Sequence, residues 1–161
     1  MARQPSPAHQ EKRLKQSAAR LAAVQALFQI ESGGADYREV QDEFETHRLG
    51  HTVDGEVYRE ADLDLFRALL SAVVSRQAEV DQLTDRALVA KWPINRIDPT
   101  LRALFRAAGA ELIAMVATPP KVIIKEFVDV AFAFYPDGKE PAFVNAVLDH
   151  MAREVRPDAF A

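Results

Sequence analysis

The sequence predicts an all-α fold: about seven helices in two small sub-bundles that share a long, buried N-terminal helix. Three observations predict it. Apolar residues recur at helical spacing along most of the chain. No alternating apolar–polar run is bounded by hairpin turn residues, and glycine occurs only 6 times in 161 residues. Prolines fall where helices would begin or break, at Pro93, Pro99, Pro119, Pro141 and Pro157.

The elements follow in order. Residues 1–11 are polar, contain Pro5 and Pro7, and read as a disordered arm. A single helical domain is expected over residues 12–156, with sub-bundles at about 12–90 and 97–154. The first predicted helix runs from Lys12 to about Ile30 and stops at Gly33 and Gly34. From Ala18 onward its apolar residues wrap nearly the whole circumference, which marks a buried rod. Its first turns differ. Arg13, Gln16 and Arg20 share one face through i+4 and i+7 steps, giving the rod a cationic head.

A second helix fits "DYREVQDEFETHRL", with Val40 and Phe44 inward, before a glycine-containing loop. Leu63 to Val80 and Asp81 to Ala90 read as two helices. "KWPINRIDPT" is the junction between sub-bundles, where Trp92 suits a packing plug, Asp98 an N-cap and Pro99 a first helical residue. A helix to about Met115 follows, then one capped by Thr118 and opened by Pro119, with Lys125 and Asp129 as an outward i,i+4 pair. The last starts near Pro141 and ends before Pro157.

Charge is unevenly distributed. Residues 1–20 carry Arg3, Lys12, Arg13, Lys15 and Arg20 against Glu11 alone, yet the whole chain has a net charge of −4. A local basic segment suits phosphate contact even on an acidic protein. Lys/Arg at a helix start oppose the helix dipole, so a role outside folding is expected for them.

Signs of catalysis are lacking. The chain has no cysteine, which excludes disulfides and thiolate chemistry. It has no glycine-rich phosphate loop and no nucleophile elbow. His47 and His51 are four residues apart, but zinc needs three or four protein ligands, so they read as exposed loop histidines. No metal site or cofactor is expected. Asp62 and Asp64 point apart on a helix and suit its N-terminal dipole. Glu111 and Asn145 lie within apolar helices and are expected to be hydrogen-bonded structural residues. Phe28 lies on the basic-headed rod, where its ring can pack in the core or stack on an unpaired base. No apolar run approaches the roughly 20 residues of a membrane span, and no secretory signal precedes the domain, so a cytoplasmic protein is expected.

Two segments carry a resemblance. "SAARLAAVQALFQIE" resembles the A-R-x-x-A-x-Q-A-L-Y signature of the NusB transcription antitermination family. "RIDPTLRALFRAAGAELI", "TPPKVIIKEFVDVAFAF" and "PAFVNAVLD" resemble that family's second half, in order and spacing, from Lys12 to Met151. The resemblance implies a non-enzymatic factor that binds the boxA element of ribosomal RNA transcripts. It does so together with the ribosomal small-subunit protein NusE, joining RNA polymerase and other Nus factors to suppress termination. It implies RNA contact by Arg20, Phe28, Lys121, Phe143 and Asn145, to which the displaced cations Lys12, Arg13 and Lys15 add. The family's arginine cluster is here Gln16 to Ala18, its tyrosine is Phe28, its I-N-E is Ile124-Lys125-Glu126, and its F-V-N-G ends in Ala146. Fewer phosphate contacts mean lower affinity and a shallower salt dependence, which keeps open a protein adaptor with weak or lost RNA binding. Some family members dimerise, which leaves a homodimer open. The N-terminal domain of some ribosomal-RNA cytosine methyltransferases is also NusB-like. That activity requires a long C-terminal domain and nucleophilic cysteines, which this chain does not carry.

Overall fold

The computed structural model describes residues 6–53, 55–57, 60–91 and 97–160. The helix α1 spans Pro7–Gly33. Its start is set by Ser6, whose hydroxyl accepts from the His9 N–H at 3.2 Å, and by Pro7 as first helical residue. The expected disordered arm therefore ends earlier than residue 11: residues 7–11 are helical. This also answers the dipole objection. Lys12 lies beyond the first turn of α1, where the field of the helix terminus has largely decayed. The helix ends at Gly34, whose φ of 66° is left-handed and whose N–H donates to the Ile30 carbonyl.

The short α2, Tyr37–Glu43, continues into a π-helical turn, Phe44–Arg48. Beyond it β1, Thr52–Val53, and β2, Glu56–Val57, form an antiparallel hairpin of two residues per strand, with Gly55 at φ 83°. The periodicity had no means of showing so short a ladder. The two helices expected over Leu63 to Ala90 are the two arms of α3, Leu63–Lys91, separated by a kink where Arg76 leaves helical geometry (φ −127°, ψ 22°), a few residues before the boundary expected at Val80. The junction expected around Trp92 and Pro93 lies outside the described residues.

The second half holds α4 (Pro99–Ala114), α5 (Pro120–Phe134) and α6 (Glu140–Val155), closed by a 3₁₀ turn, Pro157–Phe160. Asp98 caps α4 as expected, accepting from the Leu101 N–H at 2.9 Å, with Pro99 next. The α5 cap is one residue later than expected: Pro119 is the extended cap residue and Pro120 opens the helix. The all-α fold stands.

The helix α4 is the hub. It packs on α1, α3, α5 and α6, and it does so through small residues: Ala103, Ala107, Ala108, Gly109 and Ala110 are all buried. The facing side of α1 is equally small, with Ala19, Ala22, Ala23 and Ala26 buried. Small side chains let these rods approach closely. Larger ones fill the flanks: Phe44 stacks against Phe66 at 5.9 Å, and Phe105, Phe127, Leu112 and Met151 are fully buried. One contiguous core draws on both halves of the chain.

Two arginines tie element ends together. Arg106 of α4 makes a two-pronged pair with Asp81 of α3, both bonds 3.0 Å, and reaches Glu31 of α1. Arg156, just past α6, donates to the carbonyls of Leu112 (2.9 Å), Met115 (2.7 Å), Glu111 and Thr118. It thereby adds donors around the α4 C-terminus, where the last carbonyls of a helix run out of intrahelical partners; the Glu111 and Met115 carbonyls also accept from the Met115 and Thr118 N–H groups.

Gly109 sets the closest approach. A Cβ there would lie 2.8 Å from Val80 Cγ1 and 3.1 Å from Met151 Cε. Val80 is fully buried and stiff at χ1. Gly109→Ala is therefore expected to lower stability by about 1–2 kcal/mol in urea unfolding. The overpacking penalty exceeds the gain in helix propensity. A stabilised Gly109→Ala protein would contradict this packing.

Candidate nucleic-acid interface

The cationic head of α1 divides along its length. Lys12 and Arg13 are exposed, and among the described residues no carboxylate lies within ion-pair distance of either. Lys15 is half-buried and bracketed by Glu60 and Glu11, each 3.5 Å away. Those two carboxylates, Glu60 first, push its pKa upward. The Lys15 carbonyl also accepts from the Asp62 N–H at 3.0 Å, which anchors the start of α3 on α1.

Arg20 corrects the expectation. The face shared with Arg13 does not stay at the surface; by Arg20 it has passed under α4 and α5. Arg20 is 4% exposed and bonds Glu111 through two parallel bonds of 2.8 and 2.7 Å. Glu126 of α5 lies 3.8 Å away on its other side and accepts from Ser17 Oγ at 2.8 Å. Burial works against the charged guanidinium, but bonding to Glu111 and the fields of Glu111, Glu126 and Asp62 outweigh it and raise its pKa. Arg20 thus faces the interior, held by Glu111 and Glu126. Glu111, fully buried, is the hydrogen-bonded structural residue expected. No sequence pattern reveals the pair, because its members are 91 positions apart.

Lys121 stands at the first turn of α5 and is exposed. Glu126 lies beside Ser17, and Phe134 shares a groove with Phe28. Both pairings advance in the same direction along α1 and α5. The start of α5, with Lys121 and Lys125, therefore lies toward the same end of the molecule as Lys12 and Arg13. Lys125 pairs with Asp129 at 3.4 Å, as expected.

Asn145 is not a buried structural amide. It is exposed on α6 and shares a groove of about 360 Å³ with Lys121, Lys125 and Arg153, over an apolar floor of Ile124 and Val128. Arg153 is held by Asp149 at 2.9 Å and lies over the Phe160 ring at 4.6 Å. Phe143 turns the other way. It is half-buried and meets Phe105 edge-to-face at 6.0 Å, so its ring contributes chiefly to the core.

Phe28 is 39% exposed and lines a groove of about 440 Å³ at the C-terminal part of α1. The sequence left its ring between core and surface; the structure leaves a face accessible. His47 and His51 are exposed, and among the described residues no three His, Cys, Asp or Glu side chains cluster as metal ligands. No helix among the described residues is long and apolar enough to cross a membrane.

Comparison with known proteins agrees with this architecture. The NusB family model matches residues 17–153. The transcription antitermination protein NusB of Agrobacterium fabrum is 46% identical over 159 residues, covering 98% of this chain and 93% of that protein. That of Mesorhizobium japonicum is 49% identical over 142 residues, covering 88% and 91%. Among solved structures, T. maritima NusB superposes with a TM-score of 0.67 at 28% identity, over 89% of this chain and 95% of that one. A chain in a crystal structure of the antitermination factors NusB and NusE in complex with dsRNA has the same fold, with a TM-score of 0.64 at 23% identity over 86% and 96%.

The buried pair yields a stability test. Arg20→Met alone strands Glu111 in the core and is expected to cost about 3–5 kcal/mol in urea unfolding. Combining it with Glu111→Met should recover most of the loss, because an apolar pair of similar volume needs no counter-charge. Equal destabilisation by the single and double variants would contradict the assignment.

Proposed function

The chain belongs to the NusB family, and from that premise we propose that it is a cytoplasmic transcription antitermination factor. It binds boxA-type single-stranded RNA of ribosomal RNA operons together with NusE, and supports read-through by RNA polymerase with other Nus factors. The reading is non-enzymatic: the chain acts by holding RNA and protein together.

The observation that carries the RNA part is the exposure of Lys12 and Arg13 on α1 and of Lys121 on α5. In this reading they neutralise phosphates, while Asn145 and the ring of Phe28 meet unstacked bases, the usual mode for single-stranded RNA. Arg20 is absent from the contact set and Lys15 contributes little. Few unpaired cations on a chain of net charge −4 give a modest electrostatic grip. NusE then supplies the remaining affinity by fixing the geometry of the complex.

The same scarcity of cations favours one second reading, a NusB-like adaptor that docks proteins and leaves RNA to its partners. Titration of a boxA-like oligomer with and without NusE, at several salt concentrations, separates the two. The RNA-binding reading expects affinity that falls with salt, with a log–log slope of about −0.7 per phosphate contacted. Lys12→Glu with Arg13→Glu should weaken binding at least tenfold at low salt and make the slope shallower by about 1.4, roughly 0.7 for each of the two contacts. Absence of binding at low salt with NusE present would leave the adaptor.

A further inference from the structure

The far end of α1 carries a second feature that the cationic end does not use. The groove at Phe28 is walled by Gln25 and Gln29 of the same helix, Thr100 and Phe134 of the second half, and Arg48 of the π-helical turn. At about 440 Å³ it lies within the range of small-ligand sites, roughly 300–1,000 Å³. A π-helical turn is rare in proteins and is concentrated at functional sites. Here the Leu49 N–H reaches back to the Phe44 carbonyl at 2.8 Å, which widens the turn and directs Arg48 into the groove.

Arg48 is fixed from two sides. Its guanidinium lies 4.6 Å from the Phe44 ring centroid, and Nη2 donates to Glu43 Oε1 at 2.8 Å. The other oxygen of Glu43 accepts from Gln29 Nε2 at 3.0 Å. One carboxylate thus orients both polar walls, and leaves the Gln29 carbonyl oxygen and the remaining guanidinium N–H groups as groove-side acceptor and donors. Glu43 also neutralises Arg48, so the site is poor for a bare phosphate. What suits it is a flat, uncharged ligand with a π-face for Phe28 and a hydrogen-bonding edge for Arg48 and Gln29.

We propose that this groove takes one unpaired nucleobase of the bound RNA, stacked on Phe28 and read along its edge by Arg48, with guanine preferred. Guanine presents O6 and N7 as adjacent acceptors, the pair that an arginine fork matches. The inference rests on the reading of the chain as an RNA-binding factor, and deepens it by naming a base-reading site. Fifteen residues separate Arg13 from Phe28, so the groove lies roughly 22 Å along α1 from the cationic head.

The test uses the full chain with NusE and a boxA-like RNA oligomer in which each guanine is replaced by adenine in turn. The expected result is one position where replacement weakens binding about tenfold. Arg48→Gln should erase that discrimination while leaving the salt slope unchanged, since the contact is to a base and not to a phosphate. Phe28→Leu keeps apolar volume but removes the π-face, and should weaken every oligomer alike. Wild-type discrimination retained in Arg48→Gln would overturn the proposal. So would a salt slope made shallower by about 0.7, which marks a phosphate contact, or loss of NusE binding with RNA affinity intact, which makes the groove a protein site. If the wild type binds no RNA with NusE present, the functional reading itself fails, and this inference fails with it.

Discussion

The structure depends on one buried ion pair. Arg20 on α1 and Glu111 on α4 face each other at 2.7 and 2.8 Å with almost no exposure, and Glu126 on α5 closes the other side. Taking these charges out of water costs several kcal/mol for each ion, and replacement by apolar residues is often neutral. The pair is therefore better understood as a register pin than as a source of stability. The surfaces of α1 and α4 around the pair are rich in alanine. A slide would leave Glu111 buried without its partner, and that penalty selects one register.

The register in turn sets what α1 shows to solvent. With Arg20 on Glu111 and Ser17 on Glu126, α1 and α5 advance in the same direction and bring Lys12, Arg13 and Lys121 toward one end. The same alignment carries Phe28 to the groove it shares with Phe134. Interior electrostatics thus place the exterior cations. Only part of the basic head is exposed, because Glu60 and Glu11 hold Lys15 and the core takes Arg20. Such a surface suits a factor whose RNA contact is completed by a protein partner.

Much of this was legible from periodicity and turn chemistry. Asp98-Pro99, Gly33-Gly34 and the apolar stripes mark helix ends and faces by local rules, and the structure follows them. Ser6-Pro7 is an equally local signal, and a reading that weighed polarity above capping chemistry missed it. Other features were out of reach. The kink at Arg76 falls a few residues before the helix boundary expected at Val80, and no proline or glycine marks it. The face of Arg13 and Arg20 is continuous on a helical wheel, yet one end is wet and the other buried, because burial is decided by α4 and α5. Asn145 looked enclosed by apolar neighbours, but those neighbours occupy the opposite side of α6. The aim of Arg48 depends on one widened turn. In each case the deciding partner is distant in sequence or the deviation is a single residue.

The central claim is that Arg20 organises the interior and takes no part in RNA contact. The most direct test is the RNA affinity of the Arg20→Met, Glu111→Met protein with NusE present, after its helicity and cooperative unfolding are shown to match the parent. The account predicts a dissociation constant within about threefold of the wild type and an unchanged salt slope, since no phosphate contact is lost. A natively folded double variant that binds RNA ten or more times more weakly, with a slope shallower by about 0.7, would contradict it.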